Sequence, residues 1–449
     1  NDSGTSNTIF GYLAGAAGLS GGENNVIIGD NAGNDLTSGD QNVIIGHQAG
    51  DALVGGEDNV FIGQAAGGAT TAGDEMVIIG RNAGAGVITD AAIGAVLVGH
   101  SAGAALTSGA GNLAVGYKAA AALTTAPGNT IVGFQAMDIA NTAQYNTVMG
   151  WNAMGGVPAS QVVEYVVAIG TEACLGTAST TSGIAGTIAI GEGAGKALTT
   201  GAHNSMIGYL CGDAVNTGTG NVLMGRHAGG SLTSQDYNTH IGWYCGDAAT
   251  AANTVAVGAG ALGGVATQTG TVAVGYNALT ALTSGVGNTA VGSGSLAKMT
   301  TSGQNTAVGT ATMTQLVDGD QNTAVGYHAL HSGTHTSFNF NTLVGAYAGD
   351  SFTSVAVEHV TGIGANCLGG AITAAANGAT AVGSAALGSL STGAKNTAMG
   401  QSALEGLNDG SNNVGIGYLT ADAMTGANNN VAIGNGALGT MVHGDNNTA

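Results

Sequence analysis

The residues Asn288-Thr-Ala-Val-Gly292 return as Asn305-Thr-Ala-Val-Gly309 and again as Asn322-Thr-Ala-Val-Gly326, separated by Ser-Gly-Ser-Leu-Ala-Lys-Met-Thr-Thr-Ser-Gly-Gln304 and by a different string of the same length. Five identical residues at an interval of 17 mark an internal repeat. With the closing Gly as position 0, the pattern extends in both directions, from Gly11 to Gly434, as 25 units. Most steps are 17 residues; one is 16, one is 18, and six are 19 to 21, lying at 80–99, 150–191 and 326–383.

Each unit reads as strand, tight Gly turn, short second strand and loop. Position −1 is apolar in every unit, −3 is mostly Thr or Val, and −2 is Ala in many late units but Ile27, Ile44, Phe61, Ile78 and Leu97 in early ones. Alternation along a strand sends −1 and −3 to one face and −2 to the other. Position +3 is mostly Ala, +4 alternates by region between Gly and Leu or Met, and +7 is often Leu. Gly at position 0 (Gly275, Gly292, Gly309, Gly326) implies a left-handed or crowded backbone. Asn stands at −4 in 17 units, among them Asn288, Asn305 and Asn322, and a stacked column of Asn predicts a hydrogen-bonded side-chain ladder. A helix is excluded, because Gly at this density costs about 1 kcal/mol per site. The reading is an all-β parallel β-solenoid, roll-like or similar to a left-handed β-helix. It forms one continuous domain over 1–449. Both strand faces are largely apolar, so the outer one is expected to pack on another copy of the chain, as a parallel homotrimer.

Composition supports this. The chain has 83 Gly in 449 residues, 7% charged and 44% hydrophobic residues. Two Pro and no triplet Gly period exclude collagen, and the abundance of aliphatic residues argues against disorder. A net charge of −20 with six Lys and Arg excludes a basic nucleic-acid surface and disfavours anionic membranes. No run of 18 apolar residues suggests a spanning helix. The terminal Asn446-Asn447-Thr448-Ala449 begins another unit, which predicts an excerpt of a longer fibre.

The string Asn322-Thr-Ala-Val-Gly-Tyr-His-Ala-Leu330 resembles repeats of phage and viral tail-fibre proteins, which often end in an endosialidase-type intramolecular chaperone. It is also similar to the head repeats of trimeric autotransporter adhesins, a left-handed parallel β-roll with a shorter unit. The resemblance covers essentially the whole chain. It implies a homotrimeric, non-enzymatic fibre on a virion or cell surface, a shaft or receptor-contact segment touching surface glycans, with a bacterial or other extracellular adhesin or filament subunit as the alternative. Val274-Gly-Tyr-Asn-Ala278-Leu fits one hexapeptide unit of an acyltransferase helix, but the next six residues break it.

Candidate sites follow from the columns. Nine of 19 aromatics sit at +1, and flat exposed rings suit sugars: Tyr117, Phe134 and Trp151 on consecutive rungs, then Trp243, Tyr276 and Tyr327. Glu23, Asp40, Glu57 and Asp74 share position −6 on four successive rungs, where like charges about 5 Å apart repel by about 1 kcal/mol per pair in water and a Ca²⁺ ion would relieve them. Otherwise no cofactor is expected. Cys211, Cys245 and Cys367 at +3 and Cys174 at +4 read as small buried residues. His328, His331 and His335 are loosely spaced like metal ligands. The long rungs are expected to project recognition loops, as at Met154–Val166 and Ala173–Thr187. Thr at −3 raises contact with ice, but sharing a face with the apolar −1 residue predicts that this Thr is buried. No nucleophile elbow, phosphate loop, zinc spacing or carboxylate pair points to an enzyme.

Overall fold

The computed structural model describes residues 4–158, 161–176, 183–331, 338–353 and 356–449. It is a parallel β-solenoid of about 24 turns with 17-residue spacing and no α-helix among the described residues. The repeat runs through two compact units, Asn1–His227 and Ala228–Ala449. The first carries the three-residue strands β1 (Thr8–Phe10) to β13 (Val222–Met224), and the second β14 (Thr239–Ile241) to β25 (Val431–Ile433). Within each unit every strand pairs in parallel with the next, residue for residue: Thr289 with Thr306 and Thr306 with Thr323, Val291 with Val308 and Val308 with Val325.

The register fixes the faces. From Val26–Ile28 onward the middle residue of each strand, position −2, is buried, while −3 and −1 point outward and are half-buried or exposed. The expectation of a buried Thr at −3 is therefore corrected. Thr289, Thr306 and Thr323 lie on the outward face, shielded only by their neighbours on the sheet. The core closes on the other side of the strand, where Ala290, Ala307 and Ala324 at −2 meet Leu296, Met313 and Leu330 at +4.

Gly at position 0 is required twice over. Gly292 has φ +137°, a region essentially confined to Gly, and a Cβ there would lie 2.2 Å from the Gly309 carbonyl oxygen on the next rung. Positions −5, +2 and +4 are also left-handed, but at φ near 50–60° that Leu, Met, Asn and Gln adopt here, as at Gln304, Asn277 and Leu279.

From Asn25 onward the Asn column of the 25 units is fully buried. Asn305 Nδ2 donates to Asn288 Oδ1 (3.2 Å) and to the Gly319 carbonyl (2.7 Å). Its own Oδ1 accepts from Asn322 N and Nδ2, both at 3.0 Å. This satisfies polar groups that the loops turn inward, where an unpaired one costs about 1–3 kcal/mol. One of the six long rungs keeps Asn341; on the other five −4 changes, to Ala95, Val166, Thr187, Val360 or Ala379. At two of these the ladder ends on a backbone amide, Val166 N to Asn146 Oδ1 (2.9 Å) and Val360 N to Asn341 Oδ1 (3.0 Å). Two long rungs fold their extra residues into short 3₁₀ turns, Asp90–Ala92 and Ala374–Ala376, each burying its last Ala. Parts of Met154–Val166 and Ala173–Thr187 lie outside the described residues.

Candidate functional site: the outward strand face and the aromatic strip

Two columns of outward side chains line each unit, −3 and −1, and neither contains a charged residue in any of the 25 strands. In the first unit they are mainly Val and Ile, as in Val43/Ile45, Val60/Ile62 and Val77/Ile79. In the second, the −3 column is Thr on seven successive rungs, from Thr289 through Thr306, Thr323, Thr342, Thr361 and Thr380 to Thr397, beside Val, Ile or Met at −1. None of these seven hydroxyls is hydrogen-bonded to another described residue. The threonines face solvent, so burial is no ground for excluding contact with a flat lattice.

Beside this face, at +1, the rings of His100, Tyr117, Phe134 and Trp151 stack rung upon rung. Centroids lie 5.3, 4.9 and 6.5 Å apart and planes within 19° of parallel. Tyr117 and Phe134 thus have both faces occupied by neighbours, and the strip presents ring edges outward. Lys118 Nζ lies 5.6 Å from the Tyr117 ring centroid, within cation–π range. Trp243 meets Tyr244 edge-on at 4.9 Å. Tyr276 is 61% exposed, the most open of the six candidate rings. Tyr327 packs on His328 (4.2 Å) and edge-on to Tyr347 (5.3 Å).

His328 and His331 come together, with ring centroids 4.1 Å apart, and His331 Nδ1 is 3.1 Å from the Ala311 carbonyl oxygen; His335 lies outside the described residues. The acidic column is used by the backbone. Asp40 Oδ1 accepts from Glu23 N (2.6 Å) and Asp74 Oδ1 from Glu57 N (2.8 Å). The same bond recurs elsewhere at −6, with Asp320 Oδ1 accepting from Gly303 N at 2.7 Å. Among the described residues no group of three or more His, Cys, Asp or Glu converges, and no pocket opens. Nor is any helix there long and apolar enough to cross a membrane. Burial pushes the thiols of Cys174, Cys211 and Cys245 up to about 12 and that of Cys367 to about 11. All four are buried and none is in a disulfide.

Sequence reading missed two further stacks, both at −5: Tyr145 on Tyr165 (5.6 Å) and Phe340 on His359 (5.1 Å). Aligning the chain at position 0 puts both pairs in one column, which is the signal that finds them. It also missed His240, a core residue at −2. No protein-family model matches the chain, and no curated protein matches it.

Proposed function

We propose that this chain is a structural and adhesive segment of a homotrimeric surface fibre, the shaft or receptor-contact region of a viral tail fibre or of a similar extracellular adhesin, whose copies pack through the outward strand faces. The observation that carries the reading is the absence of charge from both outward columns, while Asp, Glu, Lys and Arg occupy the other exposed positions. Three residues make the face about 10 Å wide and each rung adds about 4.8 Å of length, so the 12 rungs of the second unit offer roughly 600 Å². An uncharged face of this size, apolar at −1 throughout and Val or Thr at −3, suits a contact surface, since stable interfaces bury from about 600 to 1,000 Å² per partner. The ladders of backbone and Asn hydrogen bonds suit a stiff element. Three parallel copies would repeat each aromatic strip three times, and weak contacts with surface polysaccharide would gain from that multiplicity. Mass measurement in solution tests the assembly: three copies are expected. Val308→Asp with Val325→Asp, which places charge on the face, should leave single copies that retain a β-sheet circular dichroism spectrum. A wild-type chain that stays single at micromolar concentration overturns the proposal.

A further inference from the structure

A uniformly aliphatic face would let two copies slide past one another, because Val opposite Val is as good one rung higher. The second unit is not uniform. Seven consecutive rungs place a hydroxyl at −3, and the rungs on either side, at Val272 and Val414, do not. Those hydroxyls find no hydrogen-bond partner within the described chain, and backbone groups beside them are engaged in the ladder, as Thr306 N is with the Asn322 carbonyl at 2.8 Å. The row survives three 19-residue rungs ending at Gly345, Gly364 and Gly383, so the loops lengthen while the face keeps its register.

We propose that this threonine row sets the axial register in which copies of the chain associate: equal rungs meet, Thr against Thr, and each hydroxyl finds in a partner's hydroxyl the hydrogen bond that its own chain does not supply. This rests on the reading of the outward face as the contact between copies. When copies slip by one rung, most threonines still face threonines, but one at each end of the row is set against Val and left buried and unpaired, and every further rung of slip strands two more. A polar position inside an otherwise apolar seam specifies register in coiled coils by the same logic.

Disulfide trapping reads the register directly. Thr323→Cys introduces the one accessible thiol, because Cys174, Cys211, Cys245 and Cys367 are all buried. Under mild oxidation, Thr323→Cys chains should cross-link to one another. In an equimolar mixture with mass-tagged Thr306→Cys chains, cross-links between different rungs should be at least tenfold rarer than those between equal rungs. Changing the other threonines of the row to Val in both chains should keep the assembly and raise the unequal cross-links to parity. Circular dichroism and native mass establish that each variant is folded and associated. Associated chains that cross-link equal and unequal rungs alike overturn the register assignment and leave self-association standing. A wild-type chain that is single in solution removes both.

Discussion

A Cβ on Gly349 would lie 2.8 Å from Leu343 Cδ1, so the side chain at −2 occupies the space that a residue at +4 of the same rung would need. The rungs on either side invert the arrangement. Ala324 at −2 accompanies Leu330 at +4, and Gly362 at −2 accompanies Leu368, whose Cδ1 lies 2.9 Å from where a Gly362 Cβ would be. The same exchange relates Ile27 to Gly33 and Phe61 to Gly67 in the first unit. On these rungs one core slot is filled from either of two positions; the rungs of Ile131 with Met137 and of Val148 with Met154, where both are large and buried, depart from the exchange. Leu343→Ala should cost about 2–5 kcal/mol as a cavity, and Gly349→Leu about 3 kcal/mol as overpacking. The double variant should recover to within about 2 kcal/mol of the parent, the remainder being the left-handed backbone that Leu adopts less readily than Gly. Urea unfolding of the full chain measures all three, and additive losses would refute the shared slot.

The Asn ladder yields a second expectation. Asn305→Leu removes the donations of Nδ2 to Asn288 Oδ1 and the Gly303 and Gly319 carbonyls together with the two bonds that Oδ1 accepts, and strands the Gly319 carbonyl and the Asn322 amide in the core. A loss of about 2–4 kcal/mol follows from the unpaired groups. It should be local, since a solenoid rung contacts only its neighbours. Amide exchange should quicken at the rungs of Asn288, Asn305 and Asn322 and remain slow in the strands near Val414. Uniform quickening along the unit would contradict the nearest-neighbour picture.

The solenoid, its phase and its strands were legible because Gly and Asn recur at fixed positions for backbone reasons that hold on every rung. The two variables at −2 and +4 were each visible in the sequence. Their exchange was not, because it depends on knowing that both point into one space. Thr289 was misplaced for a related reason. Alternation says which residues share a face, but only the position of the rest of the coil says which face is inside. With Ala at −2, the apolar weight of the strand lies on its outer side, and hydrophobicity alone points the wrong way. That Asp40 and Asp74 of the acidic column also accept from backbone amides was not legible, because those amides carry no sequence signal.

Thiol chemistry offers a third check. Desolvation holds Cys174, Cys211 and Cys245 at pKa values of about 12 and Cys367 at about 11, so almost no thiolate exists at neutral pH. None of the four should react with iodoacetamide in the folded chain at pH 8 within hours, and all four should react in denaturant. Rapid labelling of Cys245 in the native chain would show that the core near Ala256, whose carbonyl its Sγ contacts at 3.0 Å, opens readily.

His240 makes stability depend on acid. Its ring is fully buried at −2, and a Cβ on Gly246 would sit 2.2 Å from its Nδ1. Thr254 Oγ1 gives its proton to Asn238 Oδ1 (2.6 Å), so it accepts from His240 Nε2 at 2.9 Å; the ring proton is on Nε2 and Nδ1 has no partner. Burial lowers the His240 pKa from 6.5 to about 4. In the unfolded chain the ring protonates first, so between those values the unfolded state binds more protons and stability rises with pH. His240 therefore leaves stability intact above pH 6.5 and withdraws about 3 kcal/mol as pH falls from 6.5 to 4. Asp51 and Asp138 act oppositely: burial raises their pKa values, so their protonation in acid favours the folded form. The difference between parent and His240→Leu isolates the histidine, and the chain itself accommodates Leu at −2 with Gly at +4 at Leu343 and Gly349. Thermal midpoints of the two should differ by a constant above pH 6.5 and diverge below it, the parent falling faster. Parallel curves down to pH 4 would mean that the ring titrates in the folded chain as it does in water.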